Sequence, residues 1–236
     1  MKRCCIFGAG ELFSKPKILK DDFVIAADGG FAYLLKFGIK PDVLLGDFDS
    51  LSESLVRQAG ETYKSATAHS SETMTDIRGE TDELSVLLRD VEILKYSVMK
   101  DETDMLIAYR LGASRGCDEF HVFGGVGGRE DHTYANYCLL LEAKQDGKQA
   151  FLYNNNGRVF AIKNEKIKLF GERGKTVSVF AFGGVAEGVS IRGLKYEAEK
   201  VMLSPSSSLG VSNSYTDSGD CEISVENGAL LIFEEF

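Results

Sequence analysis

Phe23-Val24-Ile25-Ala26-Ala27-Asp28-Gly29-Gly30-Phe31-Ala32-Tyr33-Leu34-Leu35-Lys36-Phe37-Gly38-Ile39-Lys40-Pro41-Asp42-Val43-Leu44-Leu45-Gly46-Asp47 decides the fold class. Phe23 to Ala27 is a short apolar run that reads as a buried strand, and Asp28-Gly29-Gly30 ends it. Phe31 to Phe37 reads as a helix, stopped by Gly38 and Pro41. Val43-Leu44-Leu45 is a second buried strand, ending at Gly46-Asp47. Strands buried on both faces read as unbroken apolar runs, and strands that alternate with helices build a mainly parallel α/β sheet.

The same alternation extends outward. Cys4 to Phe7 is a strand that ends at Gly8-Ala9-Gly10. A helix from Ser52 to Gln58-Ala59 follows the third strand, with Ser52 as its cap and Gly60 as its stop. Glu92 to Ser97 and Glu119 to Phe123 are strands, and Thr103 to Ala113 and Asp131 to Ala143 are helices. Ser65 to Thr81 is polar and rich in Ser and Thr, so the region near 60–90 is expected to be an insertion. After Gly147 the pattern changes to short alternating runs: Gln149 to Tyr153, Arg158 to Lys163, Lys166 to Phe170, Thr176 to Phe182, Lys200 to Leu203, Glu222 to Val225 and Leu230 to Phe233. Asn154-Asn155-Asn156-Gly157, Gly183-Gly184 and Asn227-Gly228 separate some of them. The expected organisation is an α/β domain over 1–147 and a smaller all-β domain, sandwich or barrel, over 148–236.

Composition narrows the partners. The 236 residues carry 27 basic and 36 acidic side chains, a net charge of −9. Such a surface is repelled by a phosphate backbone, so nucleic acid is not an expected partner. A small phosphorylated ligand stays open, because a bound cation inverts the local field. The five cysteines match neither a zinc site nor a disulfide framework, and all are expected to be small, buried or inert thiols in a reducing compartment. The start of the chain has too short an apolar stretch for a signal peptide, and no run approaches a membrane span. The expected place is the cytoplasm, away from the membrane.

Three segments carry chemistry. Asp47 and Asp49 stand two apart at a strand end, so an extended backbone aims both carboxylates the same way. Such a pair suits Mg²⁺, which is usually held by one or two carboxylates together with phosphate oxygens. A solvated Asx turn reads equally well. Asp101 and Asp104 form a second pair after a strand, with Lys100 beside them to meet a phosphate. Their spacing at a helix start places both carboxylates on one side, although Asp101 or Thr103 can equally be the helix cap. Gly124-Gly125-Val126-Gly127-Gly128-Arg129-Glu130-Asp131-His132 joins a strand to a helix. Exposed backbone amides and a helix start favour an anion there, and Arg129 adds a forked donor. No Gly-Lys-Ser/Thr follows, so it is not a Walker A loop, and Gly8-Ala9-Gly10 lacks the third glycine of a dinucleotide fingerprint.

In their order along the chain these segments resemble the thiamine pyrophosphokinase (thiamine diphosphokinase) family. The resemblance rests on Ala27-Asp28-Gly29-Gly30, Pro41-Asp42, Gly46-Asp47-Phe48-Asp49-Ser50, Lys100-Asp101-Glu102-Thr103-Asp104, Gly124 to His132 with Asn136, Arg192-Gly193-Leu194-Lys195-Tyr196 and Val211-Ser212-Asn213. It implies an α/β domain followed by a β-sandwich, and a homodimer with thiamine bound between the α/β domain of one subunit and the β domain of the other. It implies transfer of a pyrophosphoryl group from ATP to the thiamine hydroxyl, giving thiamine diphosphate and AMP with Mg²⁺ as cofactor. By position, Asp47, Asp49 and Asp101 form the metal centre, supported by Asp104. Asp28, Gly29, Gly30, Lys100 and Arg129 join Asp47 on the ATP side. Asp131 and His132, with Ser190, Tyr196, Ser212 and Asn213, belong to the thiamine side. Two features depart from the family: the gap from Ser50 to Lys100 is longer than expected, and the aromatic at Tyr196 is Trp in other members.

Other readings are weighed beside this one. A pyrophosphokinase for another heterocyclic alcohol, such as a hydroxymethylpterin, shares the acidic centre but not the thiamine-side segments. A non-catalytic nucleotide-binding protein has no use for so many clustered carboxylates. A nicotinamide dehydrogenase needs the glycine fingerprint that is missing.

Overall fold

The computed structural model describes residues 1–46, 63–65 (main chain only), 90–96 and 101–236. Asp47, Asp49, Lys100 and the helix expected from Ser52 lie outside the described residues. The chain divides into two compact units, Met1–Asn136 and Tyr137–Phe236.

The first unit is built on a parallel sheet. Its strands are β1 (Arg3–Phe7), β2 (Phe23–Ala27), β3 (Val43–Gly46), β4 (Tyr63–Ser65), β5 (Glu92–Lys95) and β6 (Glu119–Phe123), in the spatial order β6-β1-β2-β3-β5-β4. Every neighbouring pair is parallel, with Arg3 opposite Glu119, Ile6 opposite Ile25, Ile25 opposite Val43, and Val43 opposite Glu92. β1, β2 and β3 are almost wholly buried, as their apolar runs require. β4 falls inside the expected insertion and pairs with β5 as an edge strand.

Helix α1 (Phe31–Phe37) ends at Gly38, whose left-handed φ of 61° returns its N–H to the last turn. Helix α2 (Asp104–Ser114) packs on the sheet through Tyr109, whose ring lies 4.7 Å from that of Phe120. Gly112 permits that approach: a Cβ there would stand 2.9 Å from Cys4 Sγ. Helix α3 (Glu130–Gln145) begins in the first unit and ends in the second.

The second unit is all-β apart from the end of α3. One antiparallel sheet has the order β13 (Asn213–Ser214), β10 (Thr176–Ala181), β15 (Ala229–Glu235), β8 (Gly157–Lys163), β7 (Gln149–Tyr153). The other runs β12 (Ala198–Leu203), β11 (Ala186–Arg192), β14 (Asp220–Ser224), β9 (Lys166–Phe170). Val177, Val179, Leu230 and Ile232 from the first meet Leu169, Val189, Ile191 and Ile223 from the second in one core, which makes a sandwich. The sequence reading missed β11. Gly188, at a φ of 65°, sits in a register shift that breaks the two-residue alternation between Ala186 and Val189.

Cys4, Cys5, Cys117 and Cys221 are buried, and Cys138 is exposed on α3. Burial pushes the Cys5 and Cys221 thiols up to about 12, so both stay protonated. Among the described residues no helix is long and apolar enough to cross a membrane.

Candidate active site

Parallel strands bring their carboxyl ends to one edge of the first unit's sheet, where the connecting loops can meet a ligand. At that edge the loop after β1 is laced to the glycine-rich loop after β6. Gly8 N–H donates to Phe123 O at 2.8 Å, Gly10 N–H to Gly124 O at 2.7 Å, and Glu11 N–H to Val126 O at 2.7 Å. The buried Asn136 donates from Nδ2 to Gly125 O at 2.7 Å. The carbonyls of Phe123 at the end of β6 and of the first three loop residues, Gly124 to Val126, are therefore engaged within the unit. Gly124 makes this possible, with a φ of 62° and Gly8 O only 2.4 Å from where a Cβ would stand. The sequence motif contains the four glycines and Asn136, but no local pattern marks Asn136 or Glu11 as holding the loop.

The next station is Asp28-Gly29-Gly30, a single 3₁₀ turn at the end of β2. A Cβ on Gly30 would lie 1.9 Å from Phe7 O, so only glycine lets the turn close on β1. Tyr33 hydroxyl donates to Gly10 O at 2.7 Å and ties α1 to the same loop. Asp28 holds a left-handed φ of 48°. Non-glycine residues rarely do so, and such strain gathers at functional sites. Its Cα lies 3.1 Å from the position of a Cβ on Gly46, so Asp28 abuts the point where β3 runs into Asp47.

Tyr96 continues the edge by donating its N–H to Gly46 O at 3.0 Å. Burial raises its phenol pKa first, and the negative charges of Glu92 and Asp104 raise it further. The start of α2 lies at this edge as well: Met105 Sδ, next in the chain to Asp104, stands 2.8 Å from where a Cβ on Gly8 would be. Thr103 is the cap of α2: its Oγ1 accepts from Leu106 N–H at 3.3 Å. Asp104 opens the first turn, where the helix dipole favours a carboxylate. Asp101 is exposed and precedes the cap, so the two carboxylates do not share a helix face as their spacing suggested. The edge brings together Asp28, Gly29, Gly30, Gly46 and Asp104.

Arg129 and Asp131 lie at the start of α3. Both are exposed and form a two-pronged ion pair, Nε to Oδ1 at 3.1 Å and Nη2 to Oδ2 at 2.6 Å. The Arg129 hydrogen bond holds the Asp131 carboxyl below its ordinary range. His132 is exposed, and its backbone N–H donates to Asp131 Oδ1 at 3.0 Å.

In the second unit Tyr196 is exposed and adjoins Asn213, which is buried. Asn213 Oδ1 accepts from Tyr196 N–H at 2.9 Å, and Asn213 Nδ2 donates to Tyr196 O at 2.6 Å. Ser212, at a φ of 56°, donates its N–H to Ser178 Oγ at 3.0 Å. Ser190 lies elsewhere on β11, between the inward-facing Val189 and Ile191, where its hydroxyl accepts from Lys200 N–H at 3.0 Å.

Carboxylates are hard oxygen donors, and Mg²⁺ is usually held by one or two of them with phosphate oxygens and water. Asp101 and Asp104 fit that donor set, and Asp47 and Asp49 follow Gly46 in the chain. Among the described residues no three His, Cys, Asp or Glu side chains converge on one point.

Known proteins resemble the chain over its whole length. The family profile "Thiamin pyrophosphokinase, catalytic domain" matches residues 16–152, and "Thiamin pyrophosphokinase, vitamin B1 binding domain" matches 162–230. The thiamine pyrophosphokinase of Bacillus subtilis (strain 168) is 24% identical over 190 residues, spanning 80% of this chain and 76% of that one. A crystal structure of thiamine pyrophosphokinase from Bacillus subtilis superposes with a TM-score of 0.78 at 20% identity, covering 99% of each chain. The protein from Geobacillus thermodenitrificans does so at 0.77 and 22% identity, over 99% of this chain and 97% of its own. The yeast thiamin pyrophosphokinase reaches 0.67 at 16% identity, over 100% of this chain and 86% of its own. At these identities the superpositions speak for the fold.

Proposed function

The chain belongs to the thiamine pyrophosphokinase family of enzymes, and from that premise we propose that it transfers the pyrophosphoryl group of ATP to the hydroxyl of thiamine. The thiamine oxygen bonds to the β-phosphorus of ATP while the bond from that phosphorus to the oxygen shared with the α-phosphorus breaks. AMP leaves with that oxygen, and the hydroxyl proton passes to solvent. The observation that carries the reading is the single sheet edge on which Asp28, Gly46 and the glycine-rich loop stand together, with the start of α2 against Gly8.

Phosphoryl transfer needs positioning and charge neutralisation more than covalent help from the protein. Asp47, Asp49 and Asp101, supported by Asp104, would hold Mg²⁺, which when bound neutralises charge on the phosphates. Asp28, Gly29 and Gly30 line the ATP side with Lys100. The glycine-rich loop turns its carbonyls into the protein, which suits its amide side to an anion. Arg129 swings from Asp131 to the phosphates, and this frees Asp131 to accept from the aminopyrimidine amine. Exposed ion pairs are weak, so the exchange costs little. Tyr196 offers an aromatic face to the cationic thiazolium. Ser190, Ser212, Asn213 and His132 belong to the same thiamine side. We further propose a cytoplasmic homodimer in which each thiamine site uses the second unit of the partner; an odd number of cysteines whose spacing matches no disulfide framework supports the compartment.

Incubation with ATP, Mg²⁺ and thiamine should yield AMP and thiamine diphosphate in equal amounts. ADP as the nucleotide product would indicate single-phosphate transfer instead. Turnover of a hydroxymethylpterin but not of thiamine would favour the related pyrophosphokinase. Asp101→Ala should lower kcat by about 10²-fold with an unchanged melting temperature, as expected for lost charge stabilisation.

A further inference from the structure

Asn213 is 3% exposed, and its carboxamide stands at the end of a short antiparallel ladder. In that ladder Leu194 bridges Tyr215, Lys195 N–H donates to Ser214 O at 2.9 Å, and Thr216 Oγ1 donates to Gly193 O at 3.0 Å. The next rung is made by a side chain. Tyr196 N–H donates to Asn213 Oδ1 at 2.9 Å, and Asn213 Nδ2 donates to Tyr196 O at 2.6 Å. A carboxamide presents the donor and the acceptor of a peptide group, so it extends the ladder by one residue. Oδ1 also accepts from Ser214 N–H at 3.0 Å, which occupies both of its lone-pair directions.

Asn213 thus holds both polar groups of the Tyr196 main chain, while Tyr196 as a residue is 61% exposed. The ring is accompanied by Lys195, whose Nζ lies 5.2 Å from its centroid. A buried amide that grips the backbone of an exposed aromatic residue is a device for presenting that ring in one orientation. A ring held in place loses less freedom when a ligand stacks on it.

We propose that Asn213 is a positioning residue that acts on the acceptor heterocycle through Tyr196, not by touching it. This rests on the reading of Tyr196 as a thiamine-side residue. Asn213 replaces a backbone rung at the one place where the chain must leave the ladder to expose an aromatic ring.

The test is a double-mutant cycle on the full chain with Asn213→Ala, Tyr196→Ala and the pair. Asn213→Asp serves as a second variant of similar size: it keeps the acceptor for Tyr196 N–H but sets a carboxylate oxygen against Tyr196 O, which removes the donor and adds a buried charge. Asn213→Ala should raise the thiamine KM about tenfold, with the ATP KM and kcat changed less than twofold. Asn213→Asp, which repels the Tyr196 carbonyl that the carboxamide held, should raise the thiamine KM at least as much as Asn213→Ala. In the Tyr196→Ala background, Asn213→Ala should add less than a twofold effect, the coupling expected of residues that act as one unit. A full tenfold effect there, or no thiamine effect in either single Asn213 variant, would overturn the proposal. Amide hydrogen exchange at Tyr196 gives a readout that needs no turnover, and it should accelerate at least tenfold in Asn213→Ala. An unchanged exchange rate would remove the clamp itself. If the unaltered protein fails to turn over thiamine, the functional reading falls and the thiamine effect with it, and the exchange rate alone decides the clamp.

Discussion

Glycine at 124 meets two separate demands, and Gly128 in the same loop lets them be told apart. Gly124 has a left-handed φ of 62° and Gly8 O 2.4 Å from a would-be Cβ, whereas Gly128 has a φ of 75° and nothing within 4 Å. Gly128→Ala should therefore cost only the left-handed penalty, about 1–2 kcal/mol. Gly124→Ala adds a clash with backbone that cannot rotate away, so its loss should exceed that of Gly128→Ala by about 1–3 kcal/mol. Urea unfolding of both variants measures the difference, and equal losses would mean that conformation alone explains the glycine. The residue scale is also where sequence is most and least informative. Asp28-Gly29-Gly30 and the glycine-rich loop were legible because glycine beside a strand end has few other uses. The reason for each glycine was not legible, because Phe7 O and Gly8 O are backbone atoms that no side-chain pattern reports. Asn136 and Asn213 show the same limit: the motif contains them, and only the fold shows that each carboxamide holds a main chain in place.

At the scale of elements, β6 carries a consequence for pH. His121 on β6 sits opposite Cys5 on β1, is 9% exposed, and shares a 2.7 Å contact between its Nε2 and Glu119 Oε1. Burial pushes its pKa below the ordinary 6.5, and the Arg3 charge adds to this, against the raising effects of Glu119 and Asp22. The folded state thus favours neutral imidazole more than the unfolded chain does. The unfolded chain then binds more protons as the pH falls from 6.5, and stability declines until the pH passes the folded value. The urea midpoint should drop on acidification through this window, and His121→Gln should flatten the drop. An identical pH slope in the variant would assign the acid sensitivity to other groups. Parallel strands such as β2 and β3 were legible as apolar runs, and α1 was legible from its glycine and proline stops. β11 was not, because a bulge at Gly188 shifts the alternation that announces a strand.

At the scale of the whole molecule, the buried carboxylate of Glu234 shows how the second unit keeps a charge in its interior. Glu234 accepts from Tyr215 hydroxyl at 2.8 Å and pairs with Arg158 Nε at 2.7 Å, while the Arg158 guanidinium lies 4.9 Å from the centre of the Phe151 ring. Removing one partner of such a pair leaves an uncompensated charge, so Arg158→Met should destabilise the protein by about 3 kcal/mol. Thermal unfolding at neutral pH checks this, and a change below half that size would place Glu234 in better contact with water than its burial implies.

The proposed assembly makes a stronger demand. If each thiamine site uses the first unit of one protomer and the second unit of its partner, Asp101→Ala and Tyr196→Ala damage the same site from opposite subunits. A mixed dimer of the two variants then has one site with both lesions and one site with none. Random assortment from co-expression gives half mixed dimers, so about a quarter of the unaltered activity should return at low thiamine, where the Tyr196 lesion is felt. Either variant alone should stay far below that level. A mixture no better than the mean of the separate variants would place each complete site within one protomer, and a monomeric mass in sedimentation would exclude the shared site altogether. The acidic segments and Tyr196 were legible in the sequence as separate motifs, but which copy of the chain supplies each to a site is a property of assembly, and the mixed dimer reads it out.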